Sequence, residues 1–351
     1  MIKKIMMCMT ILLFSTTTSL VFASRLPDLE QLGKEMYQDT DFSLNGTQSC
    51  KTCHHHVAGF ADPSNSKDPY YTVVSLGDDG VSLGGRNAPT AAYAGYSPIL
   101  QQDDSGVYFG GMFWDGRATG WTLEDPLAEQ AQGPPLNPVE MNMPSKEAVV
   151  QVVRDSIYVN LFFKVFGEES LDNIDIAFDN IARAIAAYER SSEVQKFSSR
   201  FDQNRLSDQE RSGLILFADN CSKCHSMANV TEKGPLFTNY TYYNIGVPVN
   251  PLLADNAVDL GLGGFFNNQE EDGKFKVPTL RNIALTAPYG HNGYFPTLKD
   301  IVIFKSTRDF DDWELPEVPE NIYIEDGMGN LGLTESQIDD IVAFLMALTD
   351  L

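Results

Sequence analysis

Two copies of one short pattern constrain this chain more than anything else in it: Cys50-Lys51-Thr52-Cys53-His54 and Cys221-Ser222-Lys223-Cys224-His225. Cys-x-x-Cys-His is the attachment signal of a c-type haem, in which two thiols form thioethers and the histidine binds the iron. The competing readings are a pair of disulfides or a zinc site. A Cys-x-x-Cys zinc site needs further ligands at suitable spacing elsewhere, and a histidine directly after both pairs has no part in a disulfide framework. The pattern therefore predicts two covalently bound haem c groups, with His54 and His225 on the two irons.

The start of the chain points to export. Lys3 and Lys4, an apolar run through Ile11, Leu12, Leu13 and Phe14, and the small-residue end Val21-Phe22-Ala23 read as a signal peptide over residues 1–23. Cleavage there removes Cys8 and leaves four cysteines, all within the haem motifs, so no thiol is left for a structural disulfide. The predicted location is the periplasm, where c-type haem is attached. No later stretch is apolar and long enough to span a bilayer. The formal net charge of −23 becomes more negative once the signal lysines are gone. So acidic a surface argues against nucleic acid or an anionic membrane as partner; it suits a basic protein or serves solubility alone.

At 351 residues the chain exceeds a typical single domain, and its two motifs suggest two haem domains, residues 24–200 and 201–351. The halves follow one plan. Helical patterns precede each motif, through Leu32 to Tyr37 and through Ser212 to Phe217. A capping box, Ser207 with Glu210, starts the second of them. Each half closes on an amphipathic helix: Ile174, Phe178, Ile181, Ile185 and Tyr188 in the first, and Ile338, Ile341, Val342, Leu345 and Met346 after the Thr334–Gln337 capping box in the second. The fold class expected is mainly α, with two cytochrome c-like domains and long Gly/Pro/Asn-rich loops.

The loops carry motifs that resemble a known family. Gly85-Arg86-Asn87-Ala88-Pro89-Thr90, Phe113-Trp114-Asp115-Gly116-Arg117, Gln130-Ala131-Gln132-Gly133-Pro134 with Val139-Glu140-Met141, and Pro278-Thr279-Leu280-Arg281-Asn282 with Pro288-Tyr289-Gly290-His291-Asn292-Gly293 occur in that order around the haem signals. Together they resemble the bacterial diheme cytochrome c peroxidases and their relative MauG, over essentially the whole mature chain. The resemblance implies a peroxidatic first haem and an electron-transfer second haem. It implies Glu140 as the catalytic carboxyl, Gln130 as a pocket amide, Pro134 as a pocket wall and Trp114 as a relay between the haems. A carboxyl in a partly desolvated pocket suits proton transfer between peroxide oxygens; without the resemblance, Glu140 reads equally well as a surface residue in a Pro-rich turn. Arg281 and His291 fall among the cofactor-binding residues, with His291 on a haem propionate. Asn87, Thr286 and Pro288 match the family's calcium position, where hard oxygen donors suit that ion.

Three departures from the family pattern matter. Between Val57 and Thr90 there is no histidine to occupy the open side of the first iron. That predicts a first haem open without reductive activation. The run Gly120-Trp121-Thr122-Leu123-Glu124-Asp125-Pro126 lengthens the spacing between Trp114 and Gln130, which resembles the methanobactin- or copper-associated diheme subgroup. At the place of the second iron's sixth ligand stands Lys305, with Met328 and His291 as the other candidates, His291 better suited to a propionate; Lys305 reads equally well as a solvated helical lysine.

The function expected is hydrogen peroxide-driven oxidation of a residue on a partner protein. The alternatives are peroxide reduction with electrons from a small redox protein, and a diheme electron carrier with no peroxide chemistry.

Overall fold

The computed structural model describes residues 26–229 and 231–351. The signal-peptide reading of residues 1–23, with Cys8, falls outside the described residues. The described chain is mostly helical. Its strands are two short antiparallel ladders, β1 (Gln101–Gln102) with β2 (Tyr108–Phe109) and β3 (Tyr242–Tyr243) with β4 (Phe275–Lys276). Among the described residues, no helix is long and apolar enough to cross a membrane.

Several helices begin where a side chain satisfies their first backbone N–H groups. The helix Asp208–Asn220, which leads into the second haem motif, opens with the predicted box. Ser207 Oγ accepts from the Glu210 N–H and the Glu210 carboxylate accepts from the Ser207 N–H, at 3.3 and 2.7 Å. Thr334 and Gln337 make the same exchange at the start of the closing helix Glu335–Met346. Its buried face is Ile338, Ile341, Phe344 and Leu345; Met346, expected on that face, is 53% exposed. Phe344 takes the inward position, and the helix ends before Met346 turns back to the core.

Two large apolar clusters result. One gathers the Asp28–Gln38, Lys146–Asp155, Val159–Phe166 and Ile174–Glu189 helices, through Leu32, Met36, Val149, Phe162, Phe178 and Ile185. It also takes Leu236 and Tyr240 from the other half of the sequence. The other joins Phe217, Phe304 and Phe344, from the Asp208–Asn220, Leu298–Thr307 and Glu335–Met346 helices, with Phe237 and Phe295 from loops. A third, small cluster of Leu100, Tyr242 and Leu262 lies where segments from both halves meet.

Each half has one helix crossing at van der Waals contact, and a glycine makes it possible. A Cβ on Gly33 would lie 1.8 Å from the Ala184 carbonyl oxygen, and one on Gly213 would lie 1.9 Å from that of Asp340. Backbone cannot yield there as a flexible side-chain end would. Gly213→Ala is expected to force the crossing apart and lower stability by roughly 1–3 kcal/mol or more, read as a lower thermal midpoint of the holoprotein. An unchanged midpoint would show that the crossing is not tight.

Candidate haem and peroxide site

Each Cys-x-x-Cys-His motif lies in the wall of a large cavity. The first cavity is lined by Cys50, Cys53 and His54 together with Arg86, Trp114, Arg117, Gln130, Pro134, Glu140 and Glu189. The second is lined by Cys221, Cys224 and His225 together with Phe217, Phe275, Leu280, Tyr289, His291, Lys305 and Met328. The four motif cysteines are in no disulfide. Burial raises Cys53 to about 12 and Cys221 to about 11, so they are held neutral. The two histidines are set alike. His54 Nδ1 lies 3.2 Å from the Phe60 carbonyl oxygen, and His225 Nδ1 lies 3.1 Å from that of Phe237. A ring whose Nδ1–H donates to a carbonyl keeps a lone pair on Nε2, the arrangement that an iron-binding imidazole needs. Burial lowers both pKa values, His225 to about 3. Paired buried thiols beside a neutral, oriented imidazole fit covalent haem at both places.

The proton-handling side of the first cavity comes from two short turns. Gln130 stands on the helix Pro126–Ala131, whose start is capped by the Asp125 carboxylate accepting from the Leu127 and Ala128 N–H groups. The next turn, Gly133–Leu136, carries Pro134 and leads to Asn137. Asn137 orients Glu140 twice: its carbonyl accepts the Glu140 N–H at 3.1 Å, and its Nδ2 donates to Glu140 Oε1 at 2.6 Å. Burial raises the Glu140 pKa above the ordinary carboxyl value; Asn137 and the Arg117 charge pull it part of the way back. The three residues predicted to form the pocket do line one cavity. His54 is the one histidine among its described lining residues.

Trp114 lines both cavities, as do Asn87, Ala88, Pro89 and Thr90. Trp114 Nε1 donates to the Asn87 carbonyl at 2.9 Å, and its own carbonyl accepts the Lys276 N–H at 2.9 Å. The shared wall is thus built from the Gly85–Thr90 and Phe113–Arg117 motifs and from β4. Asn87, Thr286 and Pro288 lie in the wall of the second cavity. Asn87 is buried, with its Nδ2 donating to the Val73 carbonyl. Among the described residues, no group of three or more His, Cys, Asp and Glu is placed to hold a metal ion.

Arg281, expected among the cofactor-binding residues, is engaged by protein groups in this structure. It is fully buried and lines neither cavity. Its Nη1 and Nη2 donate to the two Asp202 oxygens at 2.9 Å, and its Nε donates to the Pro235 carbonyl at 2.8 Å. Each of its three nitrogens therefore donates to a protein group. His291 does line the second cavity, but its Nε2 lies 3.0 Å from Glu317 Oε2 and its ring stacks on Phe275. Lys305 and Met328 are both in that cavity's wall, and burial lowers the Lys305 pKa.

Sequence reasoning passed over four groups here. Arg86, quoted only inside a motif, joins Asp259 at 2.6 and 2.7 Å and Asp115 at 2.7 Å, tying the wall of the first cavity to the other half of the chain. Arg117 pairs with Asp115 and lies over the Phe113 ring. Glu189, on the helix Ile174–Glu189, is pushed up to about 8 by burial. Lys276 is lowered to about 7 by burial, and its Nζ donates to the Gly111 carbonyl. The arginine-containing motifs were the available signal for the first two. No sequence signal marks Glu189 or Lys276, because burial is a tertiary property.

Fold and site together define a diheme oxidoreductase. The chain belongs to the di-haem cytochrome c peroxidase family, whose sequence model matches residues 27–211. Among individual relatives, it is 39% identical to methylamine utilization protein MauG of Paracoccus denitrificans strain Pd 1222, over 92% of this chain and 88% of that protein. It is 32% identical to the cytochrome c551 peroxidase of Pseudomonas aeruginosa, over 83% of this chain and 75% of that protein. The fold matches the diheme peroxidase BthA from Burkholderia thailandensis E264 with a TM-score of 0.83 at 30% identity, covering 93% of this chain and 87% of that one. It also matches a MauG-like protein associated with microbial copper homeostasis, with a TM-score of 0.69 at 27% identity, covering 93% of this chain and 91% of that one.

Proposed function

We propose that this chain is a periplasmic enzyme that uses hydrogen peroxide to oxidise an aromatic residue of a partner protein. The observation that carries the peroxide half of this reading is the oriented, half-buried Glu140 beside Gln130 and Pro134 in the cavity of His54. Bound haem supplies the iron at which peroxide is reduced and stores the oxidising equivalents. The protein's part is proton handling and positioning. Glu140 takes a proton from the near oxygen of peroxide and returns it to the far one, which leaves as water. Gln130 orients the peroxide, and Pro134 restricts water at that wall. Trp114, common to both cavities, lets the second haem share the oxidising charge. Residues 24–200 and 201–351 act as the two haem domains, a reading that the two large apolar clusters support.

Partner-protein oxidation is favoured over cytochrome turnover by two features: no second histidine among the described lining residues of the first cavity, and the 39% identity to a methylamine utilization protein. Peroxide reduction by a small basic redox protein is the second reading, favoured by the net charge of −23 and by relatives named as peroxidases. Incubating holoenzyme and peroxide with a co-expressed candidate partner, then measuring that partner's mass, decides between them. Oxygen addition or a crosslink supports the first; an unchanged partner with rapid oxidation of reduced cytochrome supports the second.

Lys305 or Met328 would hold the second iron from the side opposite the motif histidine, since both line that cavity. A free lysine holds its proton up to about pH 10.4, and the burial that lowers Lys305 favours the neutral amine required of a ligand. Lys305→Ala is expected to shift the low-spin absorption and electron paramagnetic resonance of the second haem. An untouched spectrum assigns the position to Met328. Calcium at Asn87, Thr286 and Pro288 belongs to the same reading: a chelator should lower the thermal midpoint of holoenzyme, and added calcium should restore it.

A further inference from the structure

The run Gly120 to Pro126 holds a tryptophan at the surface in a fixed pose. Trp121 is 58% exposed, yet its Nε1 donates to the Leu100 carbonyl at 2.8 Å. The Glu129 carboxylate clamps the same segment, accepting from the N–H groups of Gly120, Thr122 and Leu123 at 2.7, 2.6 and 2.9 Å. Such a clamp is not needed for a loop that merely spans a gap.

Behind Trp121, two aromatic rings, then a small apolar cluster and the β3–β4 ladder, lead towards the wall between the cavities. Its ring centroid lies 6.5 Å from that of Phe266, which stacks on Tyr108 at 4.6 Å. Tyr108 and Phe266 pack against the buried cluster of Leu100, Tyr242 and Leu262. Tyr242 pairs with Lys276 across the β3–β4 ladder, and the Lys276 N–H is the one held by the Trp114 carbonyl. The chain has three tryptophans. One is in the shared wall, one packs with Phe295 and Phe304 in the C-terminal cluster, and the third ends this aromatic series in solvent. The acidic side chains Asp103, Asp104 and Glu124, all exposed, belong to the β1–β2 turn and to the clamped segment.

We propose that Trp121 is the surface exit through which oxidising equivalents reach an aromatic residue of a partner protein; this rests on the peroxide reading above. Hydrogen peroxide is the oxidant, and its conversion to two waters consumes two electrons and two protons. Each electron leaves the partner's indole or phenol for oxidised Trp121. Trp121 has itself given one to Trp114 by way of the Phe266 and Tyr108 rings, the cluster that holds Tyr242, and the hydrogen-bonded Lys276 backbone. The partner's ring N–H or O–H loses its proton to solvent, and two such single-electron steps complete a turnover. A residue embedded in a folded partner then needs only to meet the Trp121 surface, not to enter the first cavity.

A copolymer of lysine and tyrosine is a suitable probe, because it is basic and too large for either cavity. With holoenzyme and peroxide it should form dityrosine, read by fluorescence. Trp121→Phe should lower that yield at least tenfold, while Trp121→Tyr, which also loses the indole but stays oxidisable, should restore most of it. Without the probe, peptide mass spectrometry should find oxygen added at Trp121 well above Trp313, and Trp114→Phe should abolish the excess. Equal dityrosine from the Trp121→Phe enzyme, or no excess oxidation at Trp121, while peroxide is consumed would overturn the exit and leave the peroxide reading standing. A wild-type enzyme that consumes no peroxide would remove both.

Discussion

Glu140→Gln is expected to leave both haems attached and to slow the reaction with hydrogen peroxide by about 10²- to 10⁴-fold, the usual weight of one general acid–base group. Glutamine keeps the volume and can still accept from Asn137 Nδ2, so the turn that orients the side chain survives. What disappears is a group able to take a proton and give it back. The effect should fall on the peroxide step and not on haem content, since Glu140 lies away from the covalent motifs in the chain and is held by its own turn. Stopped-flow absorbance after mixing with peroxide, with a haemochrome assay on the same sample, tests this. A rate within a factor of about two of the parent would take Glu140 out of the mechanism.

The second large effect is on stability. Arg281→Ala should cost about 3–5 kcal/mol, the penalty for breaking a buried ion pair from one side. Arg281 is fully buried, is bonded to both oxygens of Asp202, and lies 4.3 and 5.1 Å from the ring centroids of Phe197 and Tyr93. Truncation leaves the Asp202 carboxylate without its counter-charge, and the aromatic rings without the plane packed against them. Denaturation of the holoprotein should show the loss, and the double replacement of Arg281 by Met and Asp202 by Leu should recover most of it. The pair also fixes a pH dependence. Asp202 is burdened by burial, but hydrogen bonds from Arg281 and Ser199 and the Arg281 charge hold its folded pKa below the ordinary 3.8. Its contribution is therefore present above the unfolded value and lost as pH falls through the lower folded one. Wild type should lose stability across that acid range more steeply than the double variant does.

How far the chain could be read without its structure depended on the range of the interaction involved. The Cys-x-x-Cys-His motifs are contiguous, so their chemistry is legible in a short window, and the structure places each in the wall of its own cavity. The capping boxes at Ser207 and Thr334 were equally legible, because the exchange involves residues three apart and owes nothing to the rest of the fold. Gln130, Pro134 and Glu140 came from resemblance, not from any local signal. Nothing within the chain says that a turn at Asn137 will bring a glutamate into the cavity of a histidine so far upstream.

By itself, then, the sequence determined the two haem attachment points, the mainly helical plan and the starts of its principal helices, all through contacts closed within one helical turn. Only the tertiary structure decided the charges and neighbours. Whether Arg281 faces a cofactor or Asp202, whether Met346 faces the core or water, and whether Lys305 is solvated or buried depend on segments far apart in the chain. So do the tie from Arg86 to Asp259 and the packing of Trp121 on Phe266 and of Phe266 on Tyr108. Each rests on desolvation and packing between surfaces that exist only once both halves have folded, and neither quantity is encoded in the spacing of residues along one strand or helix.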